Sequence, residues 1–378
     1  MTRTEPADVL IVGGGVIGLA AAYRLASAGH RVRLVDPGTD RGASWAAAGM
    51  LAPVSEAGFG EDALTRLCLA AVTAFPGFAD ELEQLVGEPV GLSRAGTLVV
   101  GVNPDDRVAL DRLSDYRDRL GLRTERLTGS RLRALEPYLT AEVRAGVLAA
   151  DDLSVDNRSY LAVLRAACQA SGVLLEAGVV SELIRSDDQV VGVALESGAR
   201  HHGEFTVLCS GAVTDRLLPV GVQPVKGQVV RLAVPARLRN GPPVLSHTVR
   251  GLVRGGEVYL VPRANGEVVV GATSEQQGHD TTVTAGGLYE LLRNAYELLP
   301  ISSEFSFVEA RAGSRPGTPD NGPLVGEFCP GLLLATGHYR NGILLSALTA
   351  DAVADLVAGR AAAAVWQPFQ AGRFHEGV

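Results

Sequence analysis

The chain has 378 residues, 47% of them apolar, and a net charge of −8 at pH 7. That length predicts two domains, the composition is that of an ordered globular protein, and the acidic balance argues against a nucleic-acid partner. Cys68, Cys168, Cys209 and Cys329 are widely spaced with no CxxC pair, which reads as buried thiols in a reducing compartment and not as a disulfide or zinc framework.

Residues 1–15, MTRTEPADVLIVGGG, lack the charged, apolar and small-residue order of a cleaved leader. No apolar run in the chain reaches membrane-spanning length uninterrupted, so a cytoplasmic protein without a membrane partner is expected. Residues 9–12 form a continuous apolar strand, as in a parallel sheet covered on both faces. Gly13-x-Gly15-x-x-Gly18 follows at once, then an alanine-rich helix stopping at Gly29, then a strand over 31–35 ending at Asp36. Gly13 permits a tight turn, Gly15 a close backbone approach to a pyrophosphate, and Gly18 close packing of helix on strand. The pyrophosphate would rest on the positive helix N-terminus. Asp36 would accept from a ribose hydroxyl, which disfavours a 2′-phosphate. FAD or NAD is predicted.

GASWAAAGMLAP (42–53) is a run of small residues with Met50 and Pro53. It suits a backbone loop lying flat on something large and planar, and equally an alanine-rich helix start. Helices are expected near 62–86 and 105–121, with a strand at GTLVVGV (96–102). SYLAVLRAACQASG (159–172) is a further helix, followed by VLLEAGVVSEL and FTVLCSGAVTD. His201, His202 and Glu204 between them read as a solvated strand end, and no metal site is predicted. VKGQVVRLAV (225–234) is a strand containing the only lysine, Lys226. EVYLVPRANGEVVVGAT (257–273) reads as a hairpin turned at Ala264-Asn265-Gly266, and FSFVEARAGSRPGT (305–318) as a further strand. Residues 331–335 form an apolar strand that runs out into TGHYRNGILL (336–345) and a helix. Polar and permissive residues at the carboxyl end of a buried strand, before a helix N-terminus, are where α/β proteins hold ligands.

Taken in order, the N-terminal fingerprint, AAAGMLAP, VKGQ, YLVPR, VVVGAT, RPGTPDNGPLVG and GHYRNGILL make the chain resemble the D-amino-acid-oxidase-like flavoproteins, and among them the glycine oxidases of thiamin biosynthesis. The resemblance spans nearly the whole chain. It implies an α/β fold in which a Rossmann-type FAD-binding domain is assembled from residues 1–85, 150–224 and 322–378. A mainly antiparallel α+β substrate domain would come from 86–149 and 225–321. It also implies non-covalent FAD, held by Gly13, Gly15, Val16, Ile17, Gly18, Asp36 and Pro37 in the first unit and by Ser44, Ala48, Gly49, Met50 and Leu51 in the small-residue run. Val180, Ser210 and Gly211 would add contacts from the returning segment, Val180 against the adenine. Arg315, His338, Tyr339, Arg340, Asn341, Gly342, Ile343 and Leu344 would complete the site, the turn before the last helix facing the flavin's pyrimidine side.

Three residues are the implied catalytic set. Arg315 would clamp a substrate carboxylate bidentately, Tyr259 would donate a second hydrogen bond to it, and Arg340, expected to be buried, would face the same pocket. The implied reaction is oxidation of a small amine such as glycine. Hydride would pass from Cα to flavin N5, the imine would hydrolyse to a 2-oxo acid and ammonia, and dioxygen would be reduced to hydrogen peroxide. A homo-oligomer, dimer or tetramer, is expected. Glu257 and Ser274 stand where some glycine oxidases carry histidine and methionine, which leaves the preferred amine open. Alternatives are a sarcosine-type oxidase with Cys329 near the region of a covalent flavin link, a dehydrogenase using another acceptor, and a flavin-binding protein without catalysis.

Overall fold

The computed structural model describes residues 7–38 and 42–374. Two eight-stranded sheets organise them. The first is built on Ala7–Val12, whose Val9, Leu10 and Ile11 are fully buried because helices and strands cover both faces. Val32–Asp36 and Arg200–Leu208 pair with it in parallel on either side. Leu174–Ala177 extends one edge in parallel and Leu332–Thr336 the other, and Leu324–Cys329 closes that edge antiparallel. Val180–Ser186 and Gln189–Leu195 form an antiparallel flap on Arg200–Leu208. Helices Val16–Ser27, Asp62–Val86, Asn157–Ala170 and Gly342–Val357 share one apolar core against this sheet.

The second sheet runs Ser306–Gly317, Gln223–Ala233, Glu267–Gly271, Gly256–Pro262, Thr248–Val253, Thr97–Gly101, Ala145–Ala149 and Glu125–Thr128 in spatial order. Every pairing is antiparallel except Thr248–Val253 on Thr97–Gly101. The expected hairpin turns over 263–266, with Gly266 at φ +85°. Pro316 lies on the edge strand, where a missing N–H leaves no ladder gap. Residues of alternate parity divide the two faces. Val230, Leu232, Val268 and Val270 pack with Leu291, Ala295 and Leu298 of helix Ala285–Leu298. Val229, Val261 and Val269 turn the other way, onto Ala48 and Met50 of the small-residue loop. The second sheet therefore roofs that loop, and the site lies along this seam.

Candidate active site

The glycine turn shows which glycines the chain needs for itself. Gly13 has φ +108°, and a Cβ there would sit 2.5 Å from the Cys209 carbonyl oxygen. At Gly18 a Cβ would lie 1.9 Å from the Gly13 carbonyl oxygen, so helix and turn touch through backbone alone. Gly15 differs: a Cβ would meet only Ser44 Oγ, at 3.3 Å. It is the N-cap of helix Val16–Ser27 and gives that helix no side-chain cap. Ser44 Oγ accepts from the Val16 N–H at 3.1 Å, which brings the small-residue run onto the helix end. Asp36 accepts from Gly14 N–H at 2.6 Å and Gly38 N–H at 2.8 Å, tying the turn to the end of the second strand. Gly178 N–H donates to the Asp36 carbonyl at 3.0 Å, so the half-buried Val180 starts its strand beside the same sheet end.

The run 42–53 is a single helical turn, Ala43–Ala46, followed by extended chain. Gly49 has φ +70° and lies so close to Val155 that a Cβ would fall 2.0 Å from its carbonyl oxygen. Asn157 donates to the carbonyls of Ser44 and Trp45, each at 2.9 Å, and its Oδ1 accepts from Arg231 at 2.9 Å. Arg263, its pKa pushed down to about 10 by burial, donates to the Ala48 and Val155 carbonyls. These three buried residues fix the loop. None is singled out by the sequence, although an arginine ending the apolar YLVP run is a signal that it needs carbonyl partners.

The turn 337–342 is built by Gly337 at φ +74°, under Thr318, and by Tyr339 at φ +46°, whose N–H donates to the Pro316 carbonyl at 3.0 Å. Asn341 caps helix Gly342–Val357 without a side-chain hydrogen bond. A Cβ at Gly342 would find only His338 Cβ at 3.7 Å and Val16 Cγ1 at 4.0 Å, so two helix N-termini stand side by side. Gly211, at φ +58° and with nothing of the chain within 4 Å of a Cβ, follows the Ser210 that packs on Gly13. Ile17, Leu51, Ile343 and Leu344 are buried behind these turns, and Pro37 is exposed. The residues fit FAD. The two helix N-termini, neither capped by its own N-cap side chain, supply N–H donors beyond that of Val16 for a pyrophosphate and for negative charge on a flavin, and Gly15, Gly211 and Gly342 leave space that internal packing does not use.

His338 turns its ring inward, with Nε2 3.0 Å from Thr349 Oγ1, so only its backbone is available to a ligand. Burial pushes its pKa down from 6.5 to about 3. The unfolded chain takes up that proton first, so stability is full above pH 6.5 and falls as pH drops toward 3, by about 1.4 kcal/mol per unit. Between pH 7 and pH 5 the protein is expected to lose about 2 kcal/mol more than His338→Gln, read from urea midpoints. Parallel profiles would show a ring that is charged in the folded state.

The proposed substrate clamp sits on the seam-facing side of the second sheet. Tyr259 pairs with Gly271, and a Cβ on that glycine would lie 2.4 Å from the phenol oxygen. Arg315 lies over Gly227 in the same way, 2.3 Å from where a Cβ would be. Two glycines thus floor the phenol and the guanidinium. Arg315 Nη1 donates to the Thr273 carbonyl at 3.1 Å, and Arg315 also opposes the upward push that burial gives the Tyr259 phenol. Arg340 departs from expectation. It is exposed, and its guanidinium stacks over the Tyr339 ring at 5.1 Å, because it leaves the turn on the solvent side. Arg250, not singled out by any motif, stands directly across from Tyr259 and donates to Glu56 at 2.6 Å and Glu257 at 3.3 Å. Cys329 pairs with Leu332, at the far end of the strand that opens into the turn, about 15 Å of extended chain from it.

A dinucleotide-binding sheet roofed by a second sheet, with a polar clamp on the seam, is the build of a flavin-dependent oxidoreductase. Residues 8–356 match the family model of the FAD dependent oxidoreductases. The chain is 36% identical over 380 residues to the glycine oxidase of Geobacillus kaustophilus, covering 98% of both. The crystal structure of glycine oxidase from that organism superposes with a TM-score of 0.89, at 34% identity, over 99% of this chain and 100% of that one. A bifunctional protein ThiO/ThiG of Nostoc is 35% identical over 368 residues, 94% of this chain but 53% of the relative, so the chain spans about half the length of such relatives. The protein belongs to the FAD-dependent oxidoreductase family. Among the described residues no helix is long and apolar enough to cross a membrane.

Proposed function

We propose that this protein oxidises glycine or another small amino acid or amine, giving an imine that water hydrolyses to a 2-oxo acid and ammonia, with dioxygen reduced to hydrogen peroxide. The observation that carries the reading is the pair of glycine floors, Gly271 under Tyr259 and Gly227 under Arg315, which places a phenol and a guanidinium side by side facing the seam. FAD, when bound, supplies the two-electron acceptor for the substrate's Cα–H bond and passes the electrons to dioxygen. Arg315 grips the substrate carboxylate and Tyr259 donates to it, so the chain's part is chiefly orientation. No side-chain base is needed when the amine binds neutral. Similarity to the ThiO/ThiG proteins supports a role in thiazole formation for thiamin.

The flavin-loaded protein should form peroxide with at least one of glycine, sarcosine or a D-amino acid. Dye reduction without peroxide would point to the dehydrogenase alternative. Acid precipitation should release free FAD into the supernatant. Colour kept in the pellet would overturn non-covalent binding, despite Cys329 lying away from the turn.

A further inference from the structure

Arg250 and Glu56 are joined across 194 residues of sequence, Arg250 donating to the Glu56 carboxylate at 2.6 Å. Their side chains are only 13% and 17% exposed, and a buried ion pair is a weak source of stability against an apolar alternative. Yet the loop bearing Glu56 is clamped from both sides. The carboxylate of Asp152, fully buried, accepts from the N–H groups of Val54 at 2.9 Å and Ser55 at 3.2 Å. The Arg117 guanidinium, also buried, donates to the carbonyls of Ser55 and Ala57. Glu56 is the residue between those two carbonyls, and its carboxylate reaches Arg250, the cross-strand partner of Tyr259 on the clamp face. The Glu56 charge therefore acts on the Tyr259 phenol.

We infer that Glu56 is a specificity-determining residue, which holds the substrate pocket at one net positive charge and so restricts it to amines carrying a single carboxylate. The inference rests on the amine-oxidase reading above. Arg250 and Arg315 face one sheltered carboxylate, Glu56, and the surplus of one cation matches one substrate carboxylate, while the exposed Arg340 and Glu257 lie toward solvent. Glu257 is 61% exposed and screened by water, so Glu56 sets the balance. A second carboxylate entering beside Tyr259 would find Arg250 already taken and the Glu56 charge next to it, and like charges in a poorly hydrated site repel strongly. With Glu56 neutral, Arg250 would be free to take that second carboxylate through its planar fork.

The test titrates the flavin-loaded protein with malonate and with its isosteric monoamide, malonamate, following flavin absorbance, so that only one charge separates the two ligands. The wild-type protein should bind malonamate at least about tenfold more tightly, although malonate is the stronger anion. Glu56→Gln should move the ratio toward malonate by tenfold or more, about 1.4 kcal/mol. Glu56→Asp should keep the wild-type preference. Turnover of iminodiacetate relative to glycine should rise in Glu56→Gln with them, at unchanged flavin content. Equal binding of the two ligands by the wild type overturns the inference, with no variant required. A ratio unmoved in Glu56→Gln also overturns it, and if glycine is still oxidised the amine-oxidase reading survives. A wild type that binds neither ligand and oxidises no amine removes both.

Discussion

Replacing Arg315 by alanine is expected to lower kcat/KM for glycine by roughly 10²-fold or more while flavin content stays that of the wild type. The guanidinium lies half-buried over Gly227, with one N–H given to the Thr273 carbonyl and the Tyr259 phenol within hydrogen-bonding reach, so that fork and phenol face the seam together. Removing one partner of a desolvated charge pair costs about 3–5 kcal/mol, and each decade of rate corresponds to about 1.4 kcal/mol. Arg315→Lys should recover only part of the loss, because an ammonium is a point charge that cannot reproduce the planar fork. Amines without a carboxylate should lose far less, since for them the clamp has nothing to hold. Unchanged glycine kinetics in Arg315→Ala would show this arginine to be structural and move carboxylate recognition to Arg250 or Arg340.

What the sequence discloses here is what short-range constraints enforce. Gly13 and Gly18 are legible because the turn and the following helix collide within a few residues unless both lack a side chain. The hairpin strands Gly256–Pro262 and Glu267–Gly271 are legible because β-branched runs flank an Asn-Gly turn. Thr248–Val253 escapes notice because Arg250 and Gly251 interrupt it. Gly251 is there to admit Leu298, 2.8 Å from where a Cβ would be, and Arg250 to reach Glu56. Helix Ala285–Leu298 is hidden by its first turn, where Gly287 packs against the Gln228 amide and lowers the local helix signal. The buried polar framework of Asp152, Arg117, Asn157 and Arg263 is invisible in sequence for another reason. Each partner lies 60 to 215 residues away, and nothing local distinguishes such a residue from a surface one. Arg340 shows the converse error. A motif residue beside an apolar strand looks buried, but the left-handed turn at Tyr339 sends its side chain outward.

Gly342→Leu should separate the chain's own needs from those of the cofactor. The glycine opens helix Gly342–Val357 with ordinary backbone angles, so leucine meets no strain there and gains helix propensity of up to about 1 kcal/mol. Its first side-chain atom would have nothing of the chain closer than 3.7 Å, in contrast to Gly13, where a Cβ meets backbone at 2.5 Å. The apoprotein should therefore unfold within about 1 kcal/mol of wild-type apoprotein in urea, a change typical of a tolerated substitution. Flavin affinity is expected to collapse, because the leucine would occupy the space beside Val16 where two helix N-termini present their N–H groups. The expected readout is colourless purified protein and no flavin quenching on titration with FAD up to at least 10² times the wild-type Kd. Gly13→Leu serves as the contrasting variant, since it should damage folding with or without FAD. Full flavin occupancy in Gly342→Leu would mean that the glycine answers to some feature of the chain other than a bound ring, and that the turn 337–342 does not touch the cofactor.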